Sequence, residues 1–148
     1  MISDYWAKPP EGDDYDAEEA WIRQIEDQAA SPLLAWLQGR VASERFVVPG
    51  GSERFAAEVA LKEHILDSHC IHVTAHTDGL RDQSGRLVVY RYCTCQNDDG
   101  VVRGEWPCEM IRKTAAVYAD DRGYVEALTA EDQLTVAVHS TWYWKEDQ

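Results

Sequence analysis

The stretch YCTCQNDDGVVRGEWPCEMIR, from Tyr92 to Arg112, holds three of the chain's four cysteines. Cys93 and Cys95 enclose one residue at the end of a predicted strand, where they can form a tight turn, or knuckle. Cys108 follows Pro107 at the start of a predicted helix, whose free amides and positive dipole end favour a thiolate. Zinc takes four ligands from thiolate and imidazole groups. The spacing Cys-x-Cys-x12-Cys therefore predicts three ligands of a closed metal site.

Four upstream residues are candidates for the fourth ligand: His69, Cys70, His72 and His76. We favour His69, because the end of a long packed helix fixes a side chain's direction better than a strand or a loop does. A histidine there can instead interact with the last helix carbonyls, and Cys70 stays open as the alternative ligand. We expect one structural Zn²⁺ bound by His69, Cys93, Cys95 and Cys108.

Composition limits the class of protein. The chain has 148 residues, 45% of them hydrophobic, which suits one domain over residues 1–148 with a real core and no need of disulfides. The start, MISDYWAKPPEG, lacks a basic segment followed by an apolar run, and no window is apolar enough to span a membrane. We expect a cytoplasmic protein without membrane contact, whose cysteines bind metal rather than pair.

Charge argues against direct nucleic-acid binding. The chain has 27 acidic and 14 basic residues and a formal net charge of −13, whereas nucleic-acid binders need a basic face to displace counterions. The acidic surplus is concentrated near the start, so residues 1–15 are expected to form an acidic, disordered arm unless Tyr5 and Trp6 hold it. The alternative is a surface that mimics nucleic acid or binds a basic partner.

Hydrophobic periodicity predicts three helices before residue 70. Asp16 can cap the first, which has apolar residues Ala20, Trp21, Ile25 and Ala29 at helical spacing. Ser31 and Pro32 suit the N-cap and first position of a second helix. Ser52, after the break Pro49-Gly50-Gly51, can cap a long third helix that runs toward His69.

Beyond residue 69 the pattern predicts strands and shorter helices. The alternating runs between Cys70 and Cys95 predict a β-hairpin with a long connection, and VVRGEW predicts a further short strand. A helix follows Pro107, and another is expected from Asp121 to Leu128. The run LTVAVHSTWYW predicts a strand within a C-terminal extension, residues 129–148. The fold class is therefore α+β, with N-terminal helices and a long central helix packed on a small antiparallel sheet beside a treble-clef-like zinc site.

Two blocks of sequence resemble a family of small uncharacterised proteins from actinobacteria and their phages. The family has a helix of the type AEVxAKRxILxxH, a Cys pair, and then WPCxTLRxLAxxYxxHPxYxxxW; here the corresponding runs are AAEVALKEHILDSH, CTC and WPCEMIRKTAAVYADDRGYVEAL. The resemblance covers about half of the chain, from Arg54 to Leu128. Asp121-Arg122-Gly123 departs from it where the family tends to have His-Pro. It implies that His69 and Cys108 belong to one site and offers no activity.

We expect a non-enzymatic, zinc-stabilised interaction protein with a protein partner. The resemblance adds the expectation that it is phage-encoded and acts on a host protein in the host cytoplasm. The first alternative is an acidic nucleic-acid mimic that inhibits a DNA-binding protein. The second is a zinc-dependent enzyme, but PCEM lacks the second cysteine of the deaminase motif P-C-x-x-C, and KEH reverses H-x-E. The oligomeric state and the role of Trp142-Tyr143-Trp144 stay open.

Overall fold

A computed structural model describes residues 6–12, 14–47, 53–78, 86–95, 105–138 and 142–143. The predicted α+β class is confirmed, with five helices and a small sheet in the described residues. The elements are, in chain order, α1 (Tyr15–Gln28), α2 (Pro32–Val47), α3 (Glu53–Ser68), β1 (Ile71–Asp78), β2 (Arg86–Cys93), α4 (Glu109–Ala116), α5 (Tyr124–Val138) and β3 (Trp142–Tyr143).

The chain divides into two compact units. The first comprises residues 1–30, 72–91 and 133–148, and the second comprises residues 31–71 and 92–132. Each unit has its own cluster of buried side chains. All three cysteines of the predicted knuckle and helix start, together with His69, belong to the second unit.

In the first unit, α1 begins two residues earlier than the predicted cap at Asp16 implies. The N-cap is Asp14, whose carboxylate accepts hydrogen bonds from the amides of Asp16 (2.9 Å) and Ala17 (3.4 Å). The prediction of Asp16 as the cap is therefore wrong, because the Asp14 carboxylate accepts the free amides of the first turn and Asp16 is already the second residue of the helix. Trp21, Ile25 and Ala29 recur at intervals of four and are buried, as their spacing predicted, whereas Ala20 of the same predicted set is exposed.

The predicted acidic arm is anchored at Trp6. This indole is 3% exposed and belongs to the core of the first unit. Gln28 fixes the next residue, because its Oε1 accepts the amide of Ala7 at 2.8 Å, and the Trp21 indole donates to the Ala7 carbonyl at 2.8 Å. The rest of the prediction for this arm falls partly on residues 1–5 and 13, which lie outside the described residues.

The sheet has the strand order β1-β2-β3. β2 and β3 are antiparallel, with Arg86 opposite Tyr143 and Leu87 opposite Trp142. Ala75, Leu87 and Val89 are buried together with Trp21 and Ile25 of α1. The sheet therefore shares its core with α1, one of the N-terminal helices that the sequence predicted to pack on it.

In the second unit, α3 packs with α2 and α4. The predicted start of α2 is confirmed, because the Ser31 hydroxyl accepts the amide of Leu34 at 2.9 Å and Pro32 is the first helical residue. Lys62 of α3 links the helices by ion-pairing with Glu44 of α2 at 3.1 Å and donating to the Tyr118 hydroxyl at 2.9 Å. The shared core includes Leu33, Leu37, Val41, Val59, Leu66, Ile111 and Ala115.

The C-terminal prediction needs a correction. Leu134 to Val138 form the last turn of α5, which starts at Tyr124, so the predicted helix from Asp121 to Leu128 ends ten residues too early and the predicted strand begins too early. The β-branched run suggested a strand, but Ala127, Glu131 and Leu134 are buried at intervals of four and three, a helical face. Burial on one helical face outweighed the weak strand preference of Thr135, Val136 and Val138.

Candidate metal centre

The structure brings His69, Cys93, Cys95 and Cys108 into one cluster. Their ligand atoms, one imidazole nitrogen and three sulfurs, all lie within 4.8 Å of one another. The His69 Nδ1 is 3.4 Å from the Cys108 Sγ and 3.8 Å from the Cys93 Sγ. These are the four residues that the sequence predicted, and their arrangement can hold a metal ion. In the described part of the chain no other group of three or more such side chains is this close together.

The knuckle is held at the end of β2. Cys93 is its last residue and is 0% exposed, and the amide of Cys95 donates back to the Cys93 sulfur at 3.5 Å. Such an N–H···S contact is the kind of hydrogen bond that supports a metal-bound thiolate. Both sulfurs therefore meet on one side of a turn of only one intervening residue, Thr94.

Thr94 joins this turn to the residue after His69. Its amide donates to the Cys70 carbonyl at 2.8 Å, and its Oγ1 accepts the Cys70 amide at 3.1 Å. His69 itself continues the hydrogen bonding of α3, since its amide donates to the Ile65 carbonyl at 2.9 Å. The imidazole is thus supplied by the end of a packed helix, as its position in the sequence suggested.

Cys108 reaches the cluster by a return of the chain beside β2. An antiparallel bridge pairs Tyr92 with Glu105, three residues before Cys108. Cys108 is the N-cap of α4 in extended conformation, and its side chain makes no capping hydrogen bond. Its sulfur therefore lies at the positive end of a helix and faces the other ligand atoms.

The other three candidates lie outside the cluster. The Cys70 sulfur donates to the carbonyls of Leu66 (3.2 Å) and Asp67 (3.1 Å) at the end of α3. His72 and His76 are exposed on β1, where the His76 ring stacks on Tyr90 with centroids 5.7 Å apart. All four cysteines lie within the described residues, and none is in a disulfide.

The electrostatics of the cluster suit a cation. Burial raises the pKa of Cys93 to about 12; the Cys95 amide opposes this rise, while the neighbouring thiols of Cys95 and Cys108 add to it. Three sulfurs at this separation cannot all be thiolates without a positive charge between them. A bound dication removes that penalty and reverses the direction of the shift.

Sequence reasoning missed the part that Thr94 plays. The signal was present in the predicted hairpin from Cys70 to Cys95, since the two ends of a hairpin face each other and Cys70 then lies beside the knuckle. What the pattern could not supply was the hydrogen bond from the Cys70 amide to the threonine side chain.

The chain was compared with protein families, curated proteins and solved structures. No protein-family model, no curated protein and no solved structure gives a significant match. The resemblance to the actinobacterial and phage family therefore stays a prediction. None of the helices in the described ranges is both long and apolar enough to cross a bilayer.

Proposed function

We propose that this chain is a non-enzymatic interaction protein whose second unit is stabilised by one structural zinc ion. The observation that carries the proposal is the cluster of three sulfurs and one imidazole nitrogen within 4.8 Å. The support for zinc comes from the ligand types and the distances, and the support for an interaction role comes from the closed donor set and the charge.

The ligand types favour zinc over other common ions. Calcium and magnesium take oxygen ligands, and no carboxylate of the described residues belongs to the group. Thiolate and imidazole together suit Zn²⁺, which is almost always tetrahedral in structural sites. The arrangement of a cysteine knuckle and a helix N-terminus resembles a treble-clef site, and we propose that the zinc is bound in this way.

The distances favour a tetrahedron of zinc's size. Zn–S bonds of about 2.3 Å and Zn–N bonds of about 2.0–2.1 Å give tetrahedral edges of about 3.8 Å between sulfurs and about 3.6 Å between sulfur and nitrogen. The two sulfur–nitrogen separations at His69 are 3.4 and 3.8 Å. The widest separation in the cluster is within 4.8 Å, so binding needs the side chains to close by about 1 Å at most.

The donor set favours a structural role. Catalytic zinc generally keeps three protein ligands and an open position for water, whereas structural zinc has four protein ligands. Here four protein atoms surround one centre, and three thiolates would reduce the Lewis acidity of the ion. The ion would join the end of α3, the end of β2 and the start of α4, which are distant in sequence.

The net charge of the chain supports the proposed interaction role. The net charge of −13 repels phosphate backbones and attracts basic protein surfaces. We therefore propose a protein partner with a basic contact surface; if the chain is phage-encoded, that partner is a host protein. A DNA-binding protein captured by nucleic-acid mimicry is a special case of this partner.

Metal analysis of the purified protein tests the centre. We expect one zinc per chain in protein prepared without chelator, and loss of the ion with a sharply lower melting temperature in Cys108→Ala. Cys70→Ala is the matched control, because the Cys70 sulfur donates to helix carbonyls and lies outside the cluster. This variant should keep its zinc. Absence of zinc from the wild type, with unchanged melting of Cys108→Ala, would refute the proposal.

A further inference from the structure

We propose that Thr94 is a positioning residue of the metal centre, which holds His69 so that its Nδ1 is the ligand atom. This inference rests on the proposed zinc site and adds to it the identity of the coordinating nitrogen. It also answers why His69, rather than its neighbour Cys70, is the fourth ligand.

Two hydrogen bonds form a clamp between Thr94 and Cys70. The Thr94 amide donates to the Cys70 carbonyl at 2.8 Å, and the Cys70 amide donates to the Thr94 Oγ1 at 3.1 Å. The first bond needs only the backbone, whereas the second needs a hydroxyl at position 94. Because Thr94 separates Cys93 from Cys95, the clamp ties the backbone after His69 directly to the turn that carries two of the ligands.

This short tether explains which nitrogen faces the sulfurs. The Nδ1 of a histidine is one bond closer to the backbone than the Nε2, so it suits a ligand whose backbone is held near the metal. At His69 it is the Nδ1 that lies 3.4 Å from the Cys108 sulfur and 3.8 Å from the Cys93 sulfur. If the backbone of His69 lay farther from the sulfurs, the Nε2, which is one bond farther from the backbone, would suit the ligand position instead.

The same clamp explains why the Cys70 sulfur does not belong to the cluster. With its amide and carbonyl both bonded to Thr94, the Cys70 side chain is turned to the end of α3, where its sulfur contacts the carbonyls of Leu66 and Asp67. Those carbonyls lack intrahelical donors at a helix C-terminus, so the thiol has a stable role as a donor. The centre then contains three thiolates and one imidazole, not four thiolates.

The experiment compares Thr94→Val with Thr94→Ser in the full chain. Valine keeps the branched shape and removes the acceptor, whereas serine keeps the hydroxyl. We expect Thr94→Val to bind zinc at least tenfold more weakly than the wild type, the lower end of the range for residues that support a metal ligand. Thr94→Ser should stay within about threefold of the wild type, below that range. Zinc affinity is measured by competition with a chromophoric chelator.

Two spectroscopic readouts separate positioning from general stability. Long-range ¹H–¹⁵N NMR of the zinc-bound wild type should show His69 coordinated through Nδ1. The ligand-field bands of the Co²⁺-substituted protein should shift in Thr94→Val and not in Thr94→Ser, and Thr94→Ala gives a second comparison if the valine variant does not fold.

The outcomes against the inference are distinct from those against the zinc site. Nε2 coordination, a loss smaller than tenfold in Thr94→Val, an unchanged Co²⁺ spectrum in that variant, or an equal loss in Thr94→Ser overturns the role of Thr94 while zinc stays bound to the wild type. A wild type that binds neither Zn²⁺ nor Co²⁺ overturns both.

Discussion

At the residue scale, the geometry of the proposed metal centre depends on where each side chain is anchored. Cys93 is fully buried at a strand end, Cys108 is the N-cap residue of α4, and His69 directly follows the last residue of α3. Cys95 is fixed by its nearness to Cys93 in the chain, since its own amide contacts that sulfur. Three of the proposed ligands are thus oriented by regular structure and the fourth by a tight turn, the condition for a preorganised site.

Substitution of His69 should distinguish a metal ligand from a histidine outside the cluster. His69→Ala removes one of four proposed ligands, so we expect loss of bound zinc and a lower melting temperature, because structural zinc contributes on the order of 10 kcal/mol of apparent binding free energy. His76→Ala is the control, since His76 is exposed and stacks on Tyr90 outside the cluster. Zinc content and thermal melting of both variants check this. Equal behaviour of the two would contradict the assignment of His69.

Glu131 is a second residue whose role is local but large. Its carboxylate is 0% exposed and accepts hydrogen bonds from the Ser31 hydroxyl, the Leu33 amide and the Trp106 indole. It thereby completes the N-terminal capping of α2 and links it to Trp106, two residues before Cys108. Hydrogen bonds to charged groups contribute about 1.5–3 kcal/mol each, more than bonds between neutral groups.

Glu131→Gln should therefore destabilise the folded protein by about 1–3 kcal/mol, because an amide presents a weaker acceptor and brings two hydrogens into a buried site. Glu126→Gln is the matched control on the same helix, since Glu126 is exposed; its effect should be within about 0.5 kcal/mol. Urea denaturation of both variants measures the difference. A Glu131→Gln variant as stable as the control would show that the carboxylate network adds little.

At the element scale, the path into α5 depends on a glycine. Gly123 has φ of +92°, and a Cβ at this position would lie 2.8 Å from the Trp36 Nε1 of α2. Trp36 in turn meets Tyr118 and Tyr124 edge-on, with ring centroids 6.2 and 5.8 Å away. The turn between α4 and α5 is therefore closed over an indole that leaves no room for a side chain.

Two glycine substitutions should change stability in opposite directions. Gly123→Ala forces a side chain into the left-handed region, at a cost of about 1–2 kcal/mol before the contact with Trp36 is counted. Gly39→Ala, inside α2 with no atom within 4 Å of the added Cβ, should stabilise by about 0.5–1 kcal/mol. Melting temperatures of the two variants check the signs. A Gly123→Ala variant as stable as Gly39→Ala would contradict the described turn.

At the scale of the whole molecule, metal and proton compete for the centre. The pKa of Cys93 is raised from the ordinary 9.0 to about 12 by burial and then by its neighbouring thiols, so zinc must displace a proton at neutral pH. Zinc affinity should therefore fall as pH falls, by up to about tenfold per pH unit for each proton released. Isothermal titration calorimetry of zinc binding, in buffers of different ionisation enthalpy, measures how many protons are released. Affinity independent of pH would argue against thiolate ligation.

In the metal-free protein, the raised pKa of Cys93 makes stability fall as pH rises. A thiol whose folded pKa lies above its unfolded value stabilises the folded state while protonated, and that contribution is lost as pH rises. The metal-free protein should thus lose stability between pH 9 and about 12, the ordinary and the raised pKa of Cys93. Melting of chelator-treated protein across this window checks the sign, and a rise in stability would contradict it.

Net charge supports one further prediction at this scale. With a formal charge of −13, the protein should not bind duplex DNA at about 150 mM salt, where the repulsion is screened only beyond about 8 Å. An electrophoretic mobility shift assay with a basic DNA-binding protein as positive control measures this. A salt-sensitive shift by the acidic protein would refute the charge argument.

The sequence by itself determined which thiol and imidazole groups are candidate ligands and where most elements start. Pro32 stands at a helix start because a missing amide is tolerated there, and Cys108 because the free amides and positive dipole end favour a thiolate. Trp21, Ile25 and Ala29 could be placed on one face from spacing alone. These features depend on neighbours within a few residues. They can therefore be inferred without knowing the fold.

Tertiary structure decided what depends on distant partners. The exclusion of Cys70 follows from its two hydrogen bonds to Thr94, and the helical state of Leu134 to Val138 follows from burial of one face of α5. In each case the local preferences of the alternatives differ by little, so packing and hydrogen bonds made elsewhere in the chain outweigh them.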